Sequence, residues 1–362
     1  MTDSIKGVKI LCLGDLGWSE ERKCDLRYFL HHPGSEFVHA GLREQRHAMD
    51  RGLSLEQAIS KFRAGFYDVV VAGLIPRPFP NPRKNLTHRV ANLARAALTP
   101  ALALRALAVE RSLSIFSPRL VVLDLEDRPI IDNRRFHAAA LSQLYFKREL
   151  PQNPANSFLY TTDKNEDNGN IPRQAFFASI LPKLRPISIG VEPSILAKGL
   201  KQKEEKSSDV FFAGRVENRP NRPAGLANLL RLREEGFRID IPEIKISRPE
   251  FLTRCARALT VWSPEGFGYD CTRTYEAAAM GSAPLLQYPT IHRHAPLVDG
   301  VHALYYGIEG DHLYQVLRAR LQEPAGLHQI GRQAQDHTAR HHAFDKLADY
   351  VIETTLNQFR GK

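Results

Sequence analysis

Apolar and polar positions fall into two successive runs of alternating strand and helix, with a break between them. Residues 8–14 (VKILCLG) form a near-continuous apolar run, the pattern of a parallel strand covered on both faces. A charged helical stretch is expected at 20–31, then a strand at 37–41. A helix follows over 54–64 with Ser54 as its N-cap, then a strand at 67–73 (YDVVVAG). The proline-rich 76–82 reads as a loop. Residues 86–111 read as helical, with Pro100 breaking or kinking them. Residues 119–125 (RLVVLDL) are another buried strand. This βαβα alternation implies a doubly wound α/β domain.

The segment 201–208 (KQKEEKSS) is charged and poor in apolar residues, as expected of an interdomain linker. The pattern then restarts: strand 209–214 (DVFFAG), helix 224–236, strand 237–241, helix 249–257, strand 258–262, helix 272–281, strand 283–287. The chain therefore divides into an N-terminal Rossmann-like domain (1–200), the linker, a second Rossmann-like domain (209–344) and a C-terminal helix (345–362).

Composition narrows the class. A chain of 362 residues is too long for one ordinary core, and 43% hydrophobic with 25% charged residues is a globular balance. No apolar run approaches the roughly 20 residues of a membrane-spanning helix. The first ten residues lack the apolar core and cleavage site of a signal peptide, so a cytoplasmic location is expected. Cys12, Cys24, Cys255 and Cys271 show neither zinc-ligand spacing nor a disulfide framework, and Cys12 sits in an apolar strand as inert core. The net charge of +10 is concentrated in the first half: residues 1–150 hold 23 Lys+Arg against 16 Asp+Glu. Such a field favours an anionic partner, whether nucleic acid, an anionic membrane surface or a phosphorylated substrate. Residues 83–111, with six Lys+Arg and one acid among apolar positions, are a possible membrane-surface helix, although their alanine-rich part suits ordinary packing better.

The most informative stretch is 263–287 (SPEGFGYDCTRTYEAAAMGSAPLLQ). It reads as a strand end, a loop containing Gly266 and Gly268, a helix from about Thr272, and a second strand. Glycines let backbone approach a ligand closely. A helix N-terminus offers free N–H groups and partial positive charge to a diphosphate. Glu276, one turn into that helix, is placed to accept hydrogen bonds from ribose hydroxyls. The order S-P-E-G-x-G, R-x-x-E-A, small-Gly and apolar strand resembles the donor-binding signature of group 1 GT-B glycosyltransferases, nearest the branch related to spore-maturation proteins. Glu265 and Glu276 stand eleven apart where the family pattern has eight, so the loop is longer here. Residues 211–215 (FFAGR), with Arg219 and Arg222, resemble the family's phosphate-binding Gly-Arg element with arginine in place of lysine, and 297–306 resemble its following strand.

The resemblance implies two Rossmann-like domains facing a cleft, a nucleotide-sugar co-substrate with no further cofactor, and metal-independent hexosyl transfer. It implies donor contacts from Arg215, Arg219, Arg222, Glu265, Gly266, Gly268, Arg273 and Glu276. Arg273 has an alternative as the ion-pair partner of Asp270. On the acceptor side, Asp15 follows the first strand, where open α/β sheets bind ligands. It is a candidate general base, with Asp127 and its neighbours Asp124 and Glu126 competing. The histidines show no metal-binding spacing. The acceptor stays open. A hydroxylated base in DNA is the alternative that positive charge suits, though no DNA-binding element accompanies it, and a sugar-nucleotide-binding protein without catalysis is a further one.

Overall fold

A computed structural model of the chain describes residues 7–16, 24–41, 51–75, 100–132, 135–158, 174–202, 205–216 and 221–361. It divides into two compact units, Met1–Ile187 with Ala348–Lys362, and Ser188–Leu347. The fold is α/β, with one parallel sheet in each unit.

The first sheet contains β1 (Ile10–Gly14), β2 (Ser35–His39), β3 (Val69–Ala72), β4 (Leu120–Asp124), β5 (Leu144–Lys147) and β6 (Leu184–Pro186), in the order β2-β1-β3-β4-β5-β6. Leu11, Leu13, Val70 and Val122 project to a face covered by α1 (Leu55–Arg63) and α2 (Pro100–Phe116). Their neighbours Ile10, Cys12, Val71 and Val121 are buried on the other face, which is why these strands carry unbroken apolar runs. Ser54 caps α1, its hydroxyl accepting from Gln57 N in a reciprocal capping box. The described part of α2 begins at Pro100, and the expected helical run 86–99 lies outside the described residues. Most of the basic region 83–111 lies outside them too. The described part of the charged stretch, 24–31, forms successive turns rather than helix, with N–H bonds to the third residue back. Two short helices, α3 (Phe136–Leu141) and α4 (Gln174–Ile180), join β4 to β6.

The second sheet runs β11-β10-β9-β7-β8 and contains β7 (Ser208–Phe211), β8 (Ile239–Asp240), β9 (Ala258–Trp262), β10 (Ala283–Gln287) and β11 (Leu304–Tyr306). Val210, Trp262, Leu285 and Tyr306 pack on the face with α6 (Arg222–Glu234), α9 (His312–Arg320) and α10 (Pro324–His341). Phe211 and Val261 point the other way, against α7 (Arg248–Arg257), α8 (Thr272–Ala279) and α5 (Pro193–Lys201). The division between units falls at 187/188, ahead of the segment 201–208 expected to link them. The reason is that Ile195 and Leu196 of α5 belong to the second unit's core. The final helix α11 (Phe344–Arg360) returns from Ala348 onward to the first unit. There the Tyr350 hydroxyl donates to Pro186 O at 3.0 Å and its ring meets Phe146 edge-on at 5.7 Å. Among the described residues no helix is long and apolar enough to cross a membrane.

Candidate functional site

In both sheets the chain reverses direction of build between the first strand and the third, β1/β3 and β7/β9. Crevices beyond the carboxyl ends of such neighbours are where open α/β sheets bind ligands. In the second unit that place is formed by Ala213–Val216 after β7 and Ser263–Gly268 after β9, the two segments singled out by their residues.

Arg222, buried at the start of α6, ties the two segments together. Its Nε and Nη2 donate to Glu265 O at 3.1 and 2.7 Å, and its Nη1 to Arg215 O at 2.6 Å. This guanidinium was expected on the diphosphate. Its planar fork is instead spent on backbone carbonyls from two loops, a geometry an ammonium cannot reproduce. Arg219 lies outside the described residues.

Arg215 itself is exposed, and its side chain makes no ion pair or hydrogen bond with the described residues. Arg273, in the first turn of α8, lies 5.6 Å over the Phe212 ring. Its Nη2 stands 3.0 Å from where a Cβ on Gly214 would be, so Gly214 makes room for it. Its Nη1 is buried without a hydrogen-bond partner among the described residues. The expected alternative, an ion pair with Asp270, is not formed. Asp270 is buried and takes the Tyr275 hydroxyl at 2.6 Å and Ile189 N at 2.5 Å. Cys271, the N-cap of α8, supplies no capping hydrogen bond, in contrast to Ser54 and Ser247 at α1 and α7. The first-turn N–H groups of α8 therefore take no cap bond from the N-cap side chain.

The glycine loop is partly closed on itself, Gly266 N donating to Gly268 O at 2.9 Å, and the Cys271 thiol lies 3.8 Å from both Pro264 O and Gly268 O. Phe267 at its tip is 79% exposed. Asn221 Nδ2 holds the Glu265 carboxylate at 2.8 Å. Glu276 is buried, and both bonds from Arg248 Nε and Nη2 reach its Oε1, at 3.1 and 3.0 Å; Arg248 also bonds Glu192 at 2.8 Å. Burial alone would make Arg248 less basic, but Glu192 and Glu276 more than offset it and raise its pKa. Glu276 Oε2 takes no hydrogen bond from the described residues. Arg248, Asn221 and Gln287 carried no local motif; only their placement beside Glu276 and Glu265 marks them.

In the first unit Asp15 stands directly after β1, its N–H on Leu74 O at 3.0 Å in the β1/β3 crevice. Its carboxylate covers Gly41, where a Cβ would meet Oδ1 at 2.0 Å and the His39 ring at 2.5 Å. The competing carboxylates are placed differently. Asp124 is fully buried, accepting from the Tyr145 hydroxyl at 2.7 Å with Lys147 Nζ at 3.3 Å and Arg135 Nε at 3.6 Å. Burial raises its pKa, yet Arg135 and then Lys147 outweigh burial and hold it below the usual range. Its carboxylate is taken up by this buried network of Tyr145, Lys147 and Arg135. Asp127 is half exposed and is ion-paired to Arg148, which also donates to Leu125 O at 3.0 Å. Asp15 adjoins the crevice where the chain reverses its build, and Glu126 reaches the same side through Arg135, which bonds Glu126 at 3.5 Å and Asp25, the acceptor of Leu74 N, at 3.0 Å.

Buried thiols are inert here: burial pushes Cys12 and Cys255 well above the ordinary thiol range, and Cys24 to about 12.

The two-domain α/β arrangement defined by these sheets is found in solved glycosyltransferase structures. The chain superimposes on a glycosyltransferase from Rickettsia africae with a TM-score of 0.53 at 8% identity, covering 98% of this chain and 100% of that one. It superimposes on sucrose-phosphate synthase from Thermosynechococcus elongatus with a TM-score of 0.50 at 10% identity, covering 98% and 100%. A structure of Anabaena HepE in complex with UDP gives 0.48 at 16% identity over 96% and 99%. At these identities the likeness is one of fold. No family model and no curated protein sequence matches the chain.

Proposed function

We propose that the protein is a glycosyltransferase that binds a nucleotide sugar in the second unit and transfers its hexosyl group to an acceptor hydroxyl without a metal ion. The observation that carries this reading is the pair of cations beside the β7/β9 crevice. Among the described residues exposed Arg215 has no ion-pair partner, and Arg273 keeps a buried Nη1 without a hydrogen bond beside a helix start that Cys271 does not cap. That is a place prepared for two or more negative charges. A leaving diphosphate gains charge as the glycosidic bond breaks, so cations fixed in advance stabilise the transition state more than the ground state.

In this reading Glu276, steadied through Oε1 by Arg248, offers Oε2 to a ribose hydroxyl, and the Glu265–Gly268 loop borders the sugar. Asp15 in the first unit is the candidate base that accepts the acceptor's proton. The run Arg273–Ala277 (R-x-x-E-A) is the reason to place the chain near the spore-maturation-like branch of these enzymes.

The test is thermal unfolding with a panel of nucleoside diphosphates and sugar nucleotides, with and without a chelator, followed by turnover of the stabilising donor. A true donor at about 100 times its Kd adds about 2.7 kcal/mol. Stabilisation and turnover are expected to survive chelation, and Arg215→Ala to lower kcat more than donor affinity. If no nucleotide stabilises the protein, the reading is wrong.

A further inference from the structure

The same crevice contains a polar group that neither the diphosphate nor the ribose accounts for. Gln287 closes β10 at the carboxyl end of the second sheet and is 4% exposed. Its Oε1 accepts from Glu265 N at 3.0 Å. That bond fixes the sense of the amide, because the backbone N–H can only donate. Nε2, on the same amide carbon, therefore also lies at the root of the Glu265–Gly268 loop. It is buried and has no hydrogen-bond partner among the described residues. Buried donors without an acceptor are rare in folded proteins and carry a standing cost.

The other hydrogen bonds around the loop bypass Nε2. Tyr306, paired with Gln287 across the parallel register, accepts from Trp262 Nε1 at 2.8 Å. Asn221 donates to the Glu265 carboxylate, and Arg222 donates to the Glu265 carbonyl.

We propose that Gln287 is a specificity-determining residue whose Nε2–H donates to a hydroxyl of the transferred sugar. The proposal rests on the nucleotide-sugar reading given above. A phosphate would be drawn to Arg215 and Arg273, which carry charge. A neutral, single-direction donor discriminates among hydroxyls by position. Glu265 Oε2, which takes no bond from the described residues, stands on the same loop as an acceptor. A sugar hydroxyl both donates and accepts, so the two groups together match one hydroxylated face of a hexose.

Gln287→Glu keeps an oxygen for Glu265 N–H and replaces only the NH2 group; Gln287→Met removes both polar atoms at similar volume. Calorimetric Kd values for the nucleoside diphosphate and for the sugar nucleotide, with kcat/KM for donors epimeric at single hydroxyls, separate the outcomes. Expected in both variants is diphosphate affinity within about twofold of wild type. Sugar-nucleotide affinity and kcat/KM should fall at least tenfold, and the preference between epimers should narrow. Parallel weakening of both ligands, or no change in either, would overturn the assignment and leave Nε2 as a structural donor to a fixed water. Melting temperatures of both variants show whether either is unfolded. A wild-type protein that binds neither nucleotide would instead refute the parent reading.

Discussion

Acidification is expected to strip stability from the second unit in a window set by histidines rather than by carboxylates. Five imidazoles, His294, His302, His337, His341 and His342, gather where the chain after β10 meets α10 and the residues just beyond it. His337 and His342 both donate Nε2–H to Ala295 O at 2.9 Å, holding Ala295 in the left-handed region at φ 42°. The Ser188 hydroxyl bonds His342 Nδ1 at 2.8 Å, and His302 stacks on His337 with centroids 4.2 Å apart. Burial, then the neighbouring rings of His341 and His337, pushes His294 from 6.5 down to about 4. Burial and then His337 and His294 push His342 well below its ordinary value. Burial and then His337 with the Arg340 cation lower His302 and His341 in the same direction.

His294, His302, His341 and His342 therefore hold a proton less readily in the fold than in the unfolded chain, where an imidazole is protonated below about pH 6.5. Their contribution is whole above that pH, declines as pH falls, and for His294 is exhausted near pH 4. At 1.36 kcal/mol per pH unit, the His294 shift alone corresponds to about 3 kcal/mol. His342, lowered in the same direction, steepens the dependence, so the slope near pH 5 should exceed that of His294 alone. Glu36 and Asp124 have lowered pKa values, so their stabilisation begins to be lost only near pH 4.5 and below. Urea unfolding at pH 7, 6, 5 and 4.5 measures the slope, and His294→Gln should reduce it by about one proton. A flat profile between pH 6.5 and 4.5, or an unchanged slope in the variant, would refute the account.

Three further outcomes follow from the contacts. Arg222→Lys keeps the charge but cannot hold Glu265 O and Arg215 O together, so kcat/KM should fall about tenfold or more, roughly 1.4 kcal/mol, with the donor found by screening; an unchanged value would show that the two loops keep their positions without the clamp. Glu276→Ala should weaken nucleotide binding by about 1.5–3 kcal/mol in calorimetry, and Arg248→Ala by less, because it removes only the support of the carboxylate; equal affinity in the Glu276 variant would misplace the ribose. Gly225→Ala should lower stability by about 1–3 kcal/mol in denaturant unfolding, since a Cβ there meets Trp262 Cζ2 at 2.3 Å and the indole is held by Tyr306. The clash outweighs the ~1 kcal/mol that alanine gains over glycine in a helix, so a more stable variant would show that the indole can shift.

Local sequence was sufficient wherever burial and its period suffice. The apolar runs around Leu11, Val70, Val121, Val210 and Val261 mark strands because a sheet covered on both faces has no polar side to show. Ser54 marks a helix start because a cap bond is made within three residues. The glycine-bearing loop before α8 and the arginine after β7 were legible for the same reason: backbone approach and terminal charge are local properties. Short strands such as Leu184–Pro186, with one fully buried position, left no period to read.

What tertiary structure decided is which side chain each candidate meets. Arg222 and Glu265 are 43 residues apart, Arg248 and Glu276 28, and Gln287 and Glu265 22, and no periodicity reports such pairs. The order β11-β10-β9-β7-β8 places the ends of β7 and β9 side by side, and only that adjacency turns Arg222 from a phosphate candidate into a clamp. Asp124 and Asp127 look alike as carboxylates after a strand; the neighbours β5 brings, Lys147 and Arg148, bury one in a charge network and leave the other half exposed. The division between units moved to 187/188 because two apolar side chains of α5 are worth more inside the second core than in solvent, a preference that depends on the core they join.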